Sequence, residues 1–138
     1  MGLYDAILVK DNHLAALAGA GRGDPLGVVA AGLAEARRQL GTGRFVEIEV
    51  DELAQLEVAL GMDVDVILLD NMTPTQLAEA VAMRDRAGLK GRVALEASGR
   101  VTLDTVSRIA QTGVERIAVG AITHSAAAVD IGLDLTFD

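Results

Sequence analysis

The chain has 138 residues, 51% of them hydrophobic and only 2% aromatic, with a formal net charge of −8 and no cysteine. This length suits one domain around one core, the apolar content argues against disorder, and the acidity argues against a general nucleic-acid or anionic-membrane surface. Without cysteine there is no disulfide framework, thiolate metal site or thiol nucleophile. The start lacks a basic segment followed by an apolar one, and no apolar run reaches about 18 residues, so a cytoplasmic protein is the expectation.

The elements alternate. Residues 5–9 read as a buried strand, and 19–27 as a glycine-rich loop with Arg22, Asp24 and Pro25. Residues 26–40 carry Val29, Ala30, Leu33, Ala36 and Leu40 near one helical face, with Gly41 as the stop. A strand follows over 45–50. Asp51 is placed to cap a helix over 52–60 carrying Leu53, Leu56 and Leu60, which Gly61 ends. Residues 64–69 form an apolar strand broken only by Asp65. Thr73, Pro74 and Gln76 spell N-cap, N1 and capping box for a helix running to about Ala87 and stopping at Gly88. A strand over 92–97 leads to a helix opened by Thr102, with Leu103, Val106, Ile109 and Ala110 inward and Gly113 closing it. Residues 116–119 are the last clear strand, Thr123 reads as the cap of a short helix, and 131–138 is weakly specified.

Strand–helix–strand units at this spacing imply right-handed crossovers and a parallel α/β sheet. Ligands of such sheets sit at the carboxyl ends of the strands. Those ends read Lys10-Asp11-Asn12-His13, then Glu47 and Glu49 with Asp51, then Asp70-Asn71, Glu96-Ala97-Ser98-Gly99, and Gly120-Ala121-Ile122-Thr123-His124-Ser125. Each is polar or glycine-rich, whereas the opposite loops, Gly41-Thr42-Gly43 and Gly88-Leu89-Lys90-Gly91, hold mostly turn residues. A full (β/α)8 barrel takes about 250 residues. The expected fold is therefore a partial barrel of about five βα units, lacking its early strands, that belongs to a larger enzyme or assembles with something that completes it.

Two adjacent late-strand glycine loops and a helix N-terminus at Thr123-His124-Ser125 together suit phosphate, although each glycine alone reads more readily as an ordinary turn residue. Glu47 and Glu49 are two apart, so they share one face of their strand. Glu49 with Asp70 could hold a hydrated Mg²⁺ or stabilise a developing cation, or could pair with Lys10 inside the barrel. Lys10 could bind a substrate carboxylate. His124 suits a phosphate donor, while His13 suits a cap after Asn12. No nucleophile-elbow motif supports a serine triad.

With those residues in view, the chain resembles the quinolinate phosphoribosyltransferase family, also called nicotinate-nucleotide pyrophosphorylase (carboxylating). The stretches carrying the resemblance are Leu3-Tyr4-Asp5-Ala6-Ile7-Leu8-Val9-Lys10-Asp11-Asn12-His13, Val46-Glu47-Ile48-Glu49-Val50-Asp51, Ile67-Leu68-Leu69-Asp70-Asn71-Met72, Leu95-Glu96-Ala97-Ser98-Gly99 and Val119-Gly120-Ala121-Ile122-Thr123-His124-Ser125. The resemblance implies a pentosyltransferase of NAD biosynthesis, in which quinolinate and phosphoribosyl pyrophosphate give nicotinate mononucleotide, pyrophosphate and carbon dioxide, with Mg²⁺. It also implies Lys10 near the quinolinate carboxylates, Glu49 and Asp70 near ribose and metal, and Ser98, Gly99, Gly120 and His124 on phosphate. Residues 1–138 would be the C-terminal part of the family's barrel domain, in an enzyme that acts as a homodimer or higher homo-oligomer.

The family's N-terminal domain and its arginine- and lysine-rich early strands are not in these residues, so the chain alone is expected to bind substrate weakly and turn over little. Arg100 stands where glycine is common, and loop 19–27 is longer than in some members. The rivals are the molybdenum-transport-associated relatives of the same barrel, a non-catalytic phosphate-binding or assembly half-barrel, and another phosphate-binding barrel.

Overall fold

The computed structural model describes residues 6–10, 13, 24–40 and 45–124. The elements in order are β1 (Ala6–Val9), α1 (Pro25–Leu40), β2 (Phe45–Val50), α2 (Leu53–Ala59), β3 (Val66–Asp70), α3 (Pro74–Arg86), β4 (Ala94–Ser98), α4 (Leu103–Ala110), β5 (Arg116–Ile117) and α5 (Ala121–His124). The five strands form one parallel sheet in the order β1-β2-β3-β4-β5. A doubly wound sheet reverses its strand order at a switch point. This one does not, and its sequential order is that of neighbouring strands in a barrel wall.

The period-2 pattern sorts the strand residues into two faces. Val46, Ile48, Val50, Ile67, Leu69, Leu95 and Ala97 are buried in one core with Leu56 and Ala59 of α2 and Leu77 and Ala80 of α3. The alternate residues, Glu47, Glu49, Leu68, Asp70, Glu96 and Ser98, are half-buried on the opposite face. Leu8 and Phe45 share that face by register and remain 43% and 40% exposed.

Two carboxylates lock the sheet at its amino end in the same way. Asp65 donates its N–H to Val46 O (2.9 Å), while its Oδ2 accepts the Val46 N–H (2.7 Å) and Arg37 Nη2 (2.6 Å). Glu115 donates its N–H to Leu95 O (3.1 Å), while its Oε2 accepts the Leu95 N–H (2.9 Å) and its Oε1 accepts Arg84 Nη1 (2.7 Å). In both, an acid just before a strand accepts a backbone N–H of the strand before it, and an arginine from the helix that leads into that earlier strand holds the acid. The fold therefore contains the same clamp twice, between β2 and β3 and between β4 and β5.

Several elements differ from the sequence expectation. The first helix begins at Pro25, not 26, because Asp24 caps it: Gly27 N–H donates to Asp24 Oδ2 at 3.0 Å. Asp51 is not a cap. Glu52 occupies that position without a side-chain bond, and Asp51 instead donates its N–H to Gln55 Oε1. Leu103 was expected inward and is 93% exposed, because it is the first residue of a short helix whose inward face is held by Ile109 and Val106. Ala110 also points outward, one residue on from Ile109 and so about 100° round the helix. Strands expected over 64–69 and 92–97 lie one or two residues later, and β5 stops at Ile117, although Ala118 N–H still reaches Ala97 O at 2.9 Å. The expected stop at Gly41 and the tail 131–138 lie outside the described residues.

Other expectations hold. Thr73 and Gln76 form the full capping box with Pro74 in the first turn. Gly88, at φ 72°, ends α3 as its Leu89 neighbour bonds back to Arg84 O. Val29 and Leu33 are buried and Ala30 and Ala36 half-buried on α1.

Candidate functional site

The half-buried face carries Lys10, Glu49 and Asp70 at the carboxyl ends of the strands, with Glu47 and Glu96 lower on the same face and Arg116 at the start of β5. Leu8 is opposite Glu47, so the next position on that face, Lys10, comes level with Glu49. Lys10 Nζ lies 2.9 Å from Glu49 Oε2; the Lys10 side chain is 49% exposed and that of Glu49 only 12%. Lys10 and His13 are bonded to each other twice: His13 N–H donates to Lys10 O at 2.9 Å, and His13 Nδ1 accepts the Lys10 N–H at 3.0 Å. The His13 imidazole thus caps the Lys10 N–H, and the residues after His13, where the sequence placed a capped helix or loop, lie outside the described residues.

Glu49 pairs in register with Leu68, and Asp70 is the next residue up on the same face, opposite Ser98. Glu49 and Asp70 are thus diagonal neighbours on adjacent strands, which stand about 5 Å apart. Glu96 stands beside Leu68 on one side and Arg116 on the other, with Arg116 Nη1 3.7 Å from Glu96 Oε2. Burial pushes the Glu47 carboxyl above its ordinary value. Glu96 and Glu49 push the same way, while Arg116 and Lys10 partly oppose them. The described face therefore holds Glu47, Glu49, Asp70 and Glu96 against Lys10 and Arg116.

Among the described residues no group of three or more acids and histidines converges as a metal cage. Two carboxylates still suit Mg²⁺, which usually keeps waters and is held by one or two acids plus substrate phosphate oxygens. Glu49 and Asp70 are the two acids at the carboxyl ends of adjacent strands on this face.

The loops above the strands are tight. Asn71 and Arg100 are non-glycine residues with positive φ, 54° and 49°, and Gly99 has φ 90°. Asn71 N–H donates to Ser98 O at 2.9 Å, which ties the end of β3 to the end of β4. A cleft of about 260 Å³ opens on the outer side of these loops, bounded by Asn71, Gly99, Arg100 and Arg108.

The last loop departs from expectation. Thr123 is not the cap of α5 but lies within it, its N–H and its hydroxyl both donating to Gly120 O, at 2.9 and 3.0 Å. Ile122 N–H is taken by Val119 O. The free N–H expected at Thr123 is therefore occupied, because the helix starts two residues earlier. Gly120 is exposed at this turn, and the backbone of His124 ends α5; the side chain of His124 and all of Ser125 lie outside the described residues.

Residues 1–134 match the model of the family "Quinolinate phosphoribosyl transferase, C-terminal domain". The chain belongs to this family. It is 43% identical to the nicotinate-nucleotide pyrophosphorylase (carboxylating) of Mycobacterium leprae over 136 residues, 98% of this chain and 43% of that protein. It is similar in structure to NadC from Streptococcus pyogenes (TM-score 0.71, 36% identity, 94% of this chain and 40% of the other). The nicotinate-nucleotide pyrophosphorylase from Ehrlichia chaffeensis aligns with TM-score 0.70 and 37% identity over 96% of this chain and 43% of the other. The chain spans less than half the length of these relatives.

Of the residues that the quinolinate phosphoribosyltransferase resemblance singled out, the structure joins Lys10 to Glu49 directly and sets Asp70 beside Ser98. Gly99 follows at once, and Gly120 stands further along the same rim. Sequence reasoning gave no role to Asn71, Glu96 or Arg116. The two charged residues carry a usable signal, since Glu96 in the middle of β4 and Arg116 at the start of β5 share the face of Glu49. Asn71 carries none, because its conformation depends on a contact from the next loop.

Proposed function

We propose that this domain supplies the acidic wall of a phosphoribosyl-transfer site, at which quinolinate and phosphoribosyl pyrophosphate become nicotinate mononucleotide, pyrophosphate and carbon dioxide. The observation that carries this reading is the Lys10–Glu49 pair with Asp70 one step above it, at the carboxyl end of a parallel sheet. Loss of pyrophosphate leaves positive character on the ribose ring, and fixed carboxylates facing that carbon lower its energy. Glu49 is sheltered and held by Lys10, so its charge is aimed before substrate arrives. Asp70, at the strand end, faces the same space. Mg²⁺ held by Glu49 and Asp70, through water, would neutralise the departing pyrophosphate. Ser98 and Gly99 offer hydroxyl and backbone donors to phosphate, with Gly120 and His124 as the further phosphate wall.

Charge makes a demand of its own. Two cations among four carboxylates do not hold a dicarboxylate and a pyrophosphate ester. The reading therefore requires added positive charge at the open face, from Mg²⁺ and from basic residues beyond the described ones or on a second copy in a homo-oligomer. The enzyme is read as a cytoplasmic biosynthetic transferase with no nucleic-acid or membrane partner, which the net charge of −8 supports. Among the described residues no helix is long and apolar enough to cross a membrane.

Calorimetry with phosphoribosyl pyrophosphate and Mg²⁺, on the wild type and on Glu49→Ala, tests the reading. Binding that weakens about tenfold or more in the variant is expected. Unchanged binding would remove Glu49 from the site.

A further inference from the structure

Asn71 combines three observations that the acidic pair does not explain. Its backbone is left-handed, φ 54°, a conformation that most L residues avoid. Its side-chain Nδ2 donates to Asp70 Oδ2 at 2.5 Å. Its backbone N–H is anchored on Ser98 O at 2.9 Å. The next loop fits around it: a Cβ at Gly99 would fall 2.6 Å from Asn71 Cγ and 2.8 Å from Asn71 N, closer than real Cβ contacts come. Gly99 itself has φ 90°. Two successive loops are thus pressed together at a point where one side chain grips one carboxylate.

We propose that Asn71 is a positioning residue, holding the Asp70 carboxylate in its working rotamer, and that Gly99 is glycine to admit it. This rests on the reading of Asp70 as part of the phosphoribosyl site. A carboxylate at a strand end is free to rotate about two side-chain bonds, and ordering it on substrate arrival costs affinity. An amide donor already bonded to one oxygen fixes the rotamer and leaves the other oxygen facing the ligand. The left-handed backbone is what turns the Asn71 amide back toward the residue before it. Strained non-glycine positions of this kind gather where geometry serves a site.

The amide contributes in a second way. A carboxylate that accepts a charge-assisted bond from a neutral donor keeps its charge while losing its mobility. A lysine in the same place would neutralise the charge that the site needs. Asn is also the side chain, with Asp, that best tolerates this backbone region, and of the two only Asn carries a donor.

The test separates positioning from folding. Asn71→Gly removes the grip but suits the backbone, and Asn71→Asp keeps shape and backbone tolerance while replacing the donor by an acceptor. Both are compared with Asp70→Ala and the wild type, by calorimetry with phosphoribosyl pyrophosphate and Mg²⁺ and by thermal unfolding without ligand. The expected result is that Asn71→Gly melts at or above the wild-type temperature yet binds about tenfold more weakly or worse, with Asn71→Asp at least as weak. If Asp70→Ala weakens binding but Asn71→Gly and Asn71→Asp do not, the positioning role is overturned and the role of Asp70 stands. If Asp70→Ala binds as wild type, the reading of the site falls and this proposal with it. A lowered melting temperature in Asn71→Gly with intact binding would make Asn71 a purely structural residue and also overturn it.

Discussion

Lys10 Nζ and Glu49 Oε2 meet at 2.9 Å across the ends of β1 and β2, with the lysine half exposed and the carboxylate nearly covered. The pair joins two stretches that are 39 residues apart in sequence. Because water reaches Lys10, its net contribution to folding is small. A double-mutant cycle of Lys10→Met and Glu49→Gln in urea unfolding should give a coupling of about 1 kcal/mol or less. The same Lys10→Met change should weaken phosphoribosyl pyrophosphate binding clearly, since it leaves Glu49 uncompensated next to the incoming anion. A coupling of several kcal/mol would mean that the pair is a structural element rather than a site element.

Glu47 predicts a pH effect of definite sign. Its folded carboxyl lies above the ordinary 4.5, through burial first and then the nearby Glu96 and Glu49. The folded state therefore binds the proton more tightly than the unfolded one, and stability falls as pH rises from 4.5 through the raised folded value. Glu47→Gln, which cannot ionise, should raise the melting temperature at pH 7 and change it little at pH 4. An equal gain at both pH values would show that shape, not charge, is responsible.

Much of this architecture is legible in the sequence because it depends on local pattern. Alternation in Phe45–Val50 puts Glu47 and Glu49 on one face, and the structure keeps them there. Thr73, Pro74 and Gln76 specify a helix start through bonds spanning three residues, and that start appears as expected. The failures are at places decided by distant contacts. Leu103 follows the apolar period of its helix, but nothing in the period tells whether the first turn has a layer to pack on. Thr123 has the right chemistry for a cap, yet Gly120 and Val119 offer carbonyls that start the turn earlier. Asp65 stood out as the break in an apolar strand, but its two partners, Arg37 and the Val46 N–H, come from other elements. Asn71 is the clearest case: the sequence shows a polar residue after a strand, and only the approach of Gly99 shows that the residue is clamped.

The repeated clamps predict an order of stabilities. Arg84 is 1% exposed and holds Glu115 at 2.7 Å, Asp85 at 2.6 Å and Val93 O at 3.1 Å. Glu115→Ala leaves a buried guanidinium with one acid and orphans the buried Leu95 N–H, so a loss of about 3 kcal/mol is expected. Asp65→Ala orphans the Val46 N–H, but Arg37 is 27% exposed and keeps Asp63 at 3.0 Å, so about 1–2 kcal/mol is expected. Urea unfolding of the two variants checks the order. A larger loss for Asp65→Ala would show that the amino end of the sheet depends on β2 and β3 more than on the burial of Arg84.

Gly99 gives the sharpest steric prediction, because the chain carries its own control. Gly88 also has positive φ, 72°, but a Cβ there would meet nothing within 4 Å. Gly88→Ala therefore reports backbone strain alone, about 1 kcal/mol. Gly99→Ala has comparable strain at φ 90° and adds overlap with the Asn71 side chain and backbone nitrogen. Overpacking of this kind costs about 1–3 kcal/mol more. The difference between the two variants in urea unfolding isolates the contact from the strain. Removing the Asn71 side chain should recover part of it, so Gly99→Ala should be less damaging in an Asn71→Gly background. Full recovery is not expected, since the Asn71 backbone nitrogen remains 2.8 Å from the added carbon. If Gly99→Ala and Gly88→Ala cost the same, the two loops part easily. The grip of Asn71 on Asp70 would then not be enforced from the β4 side.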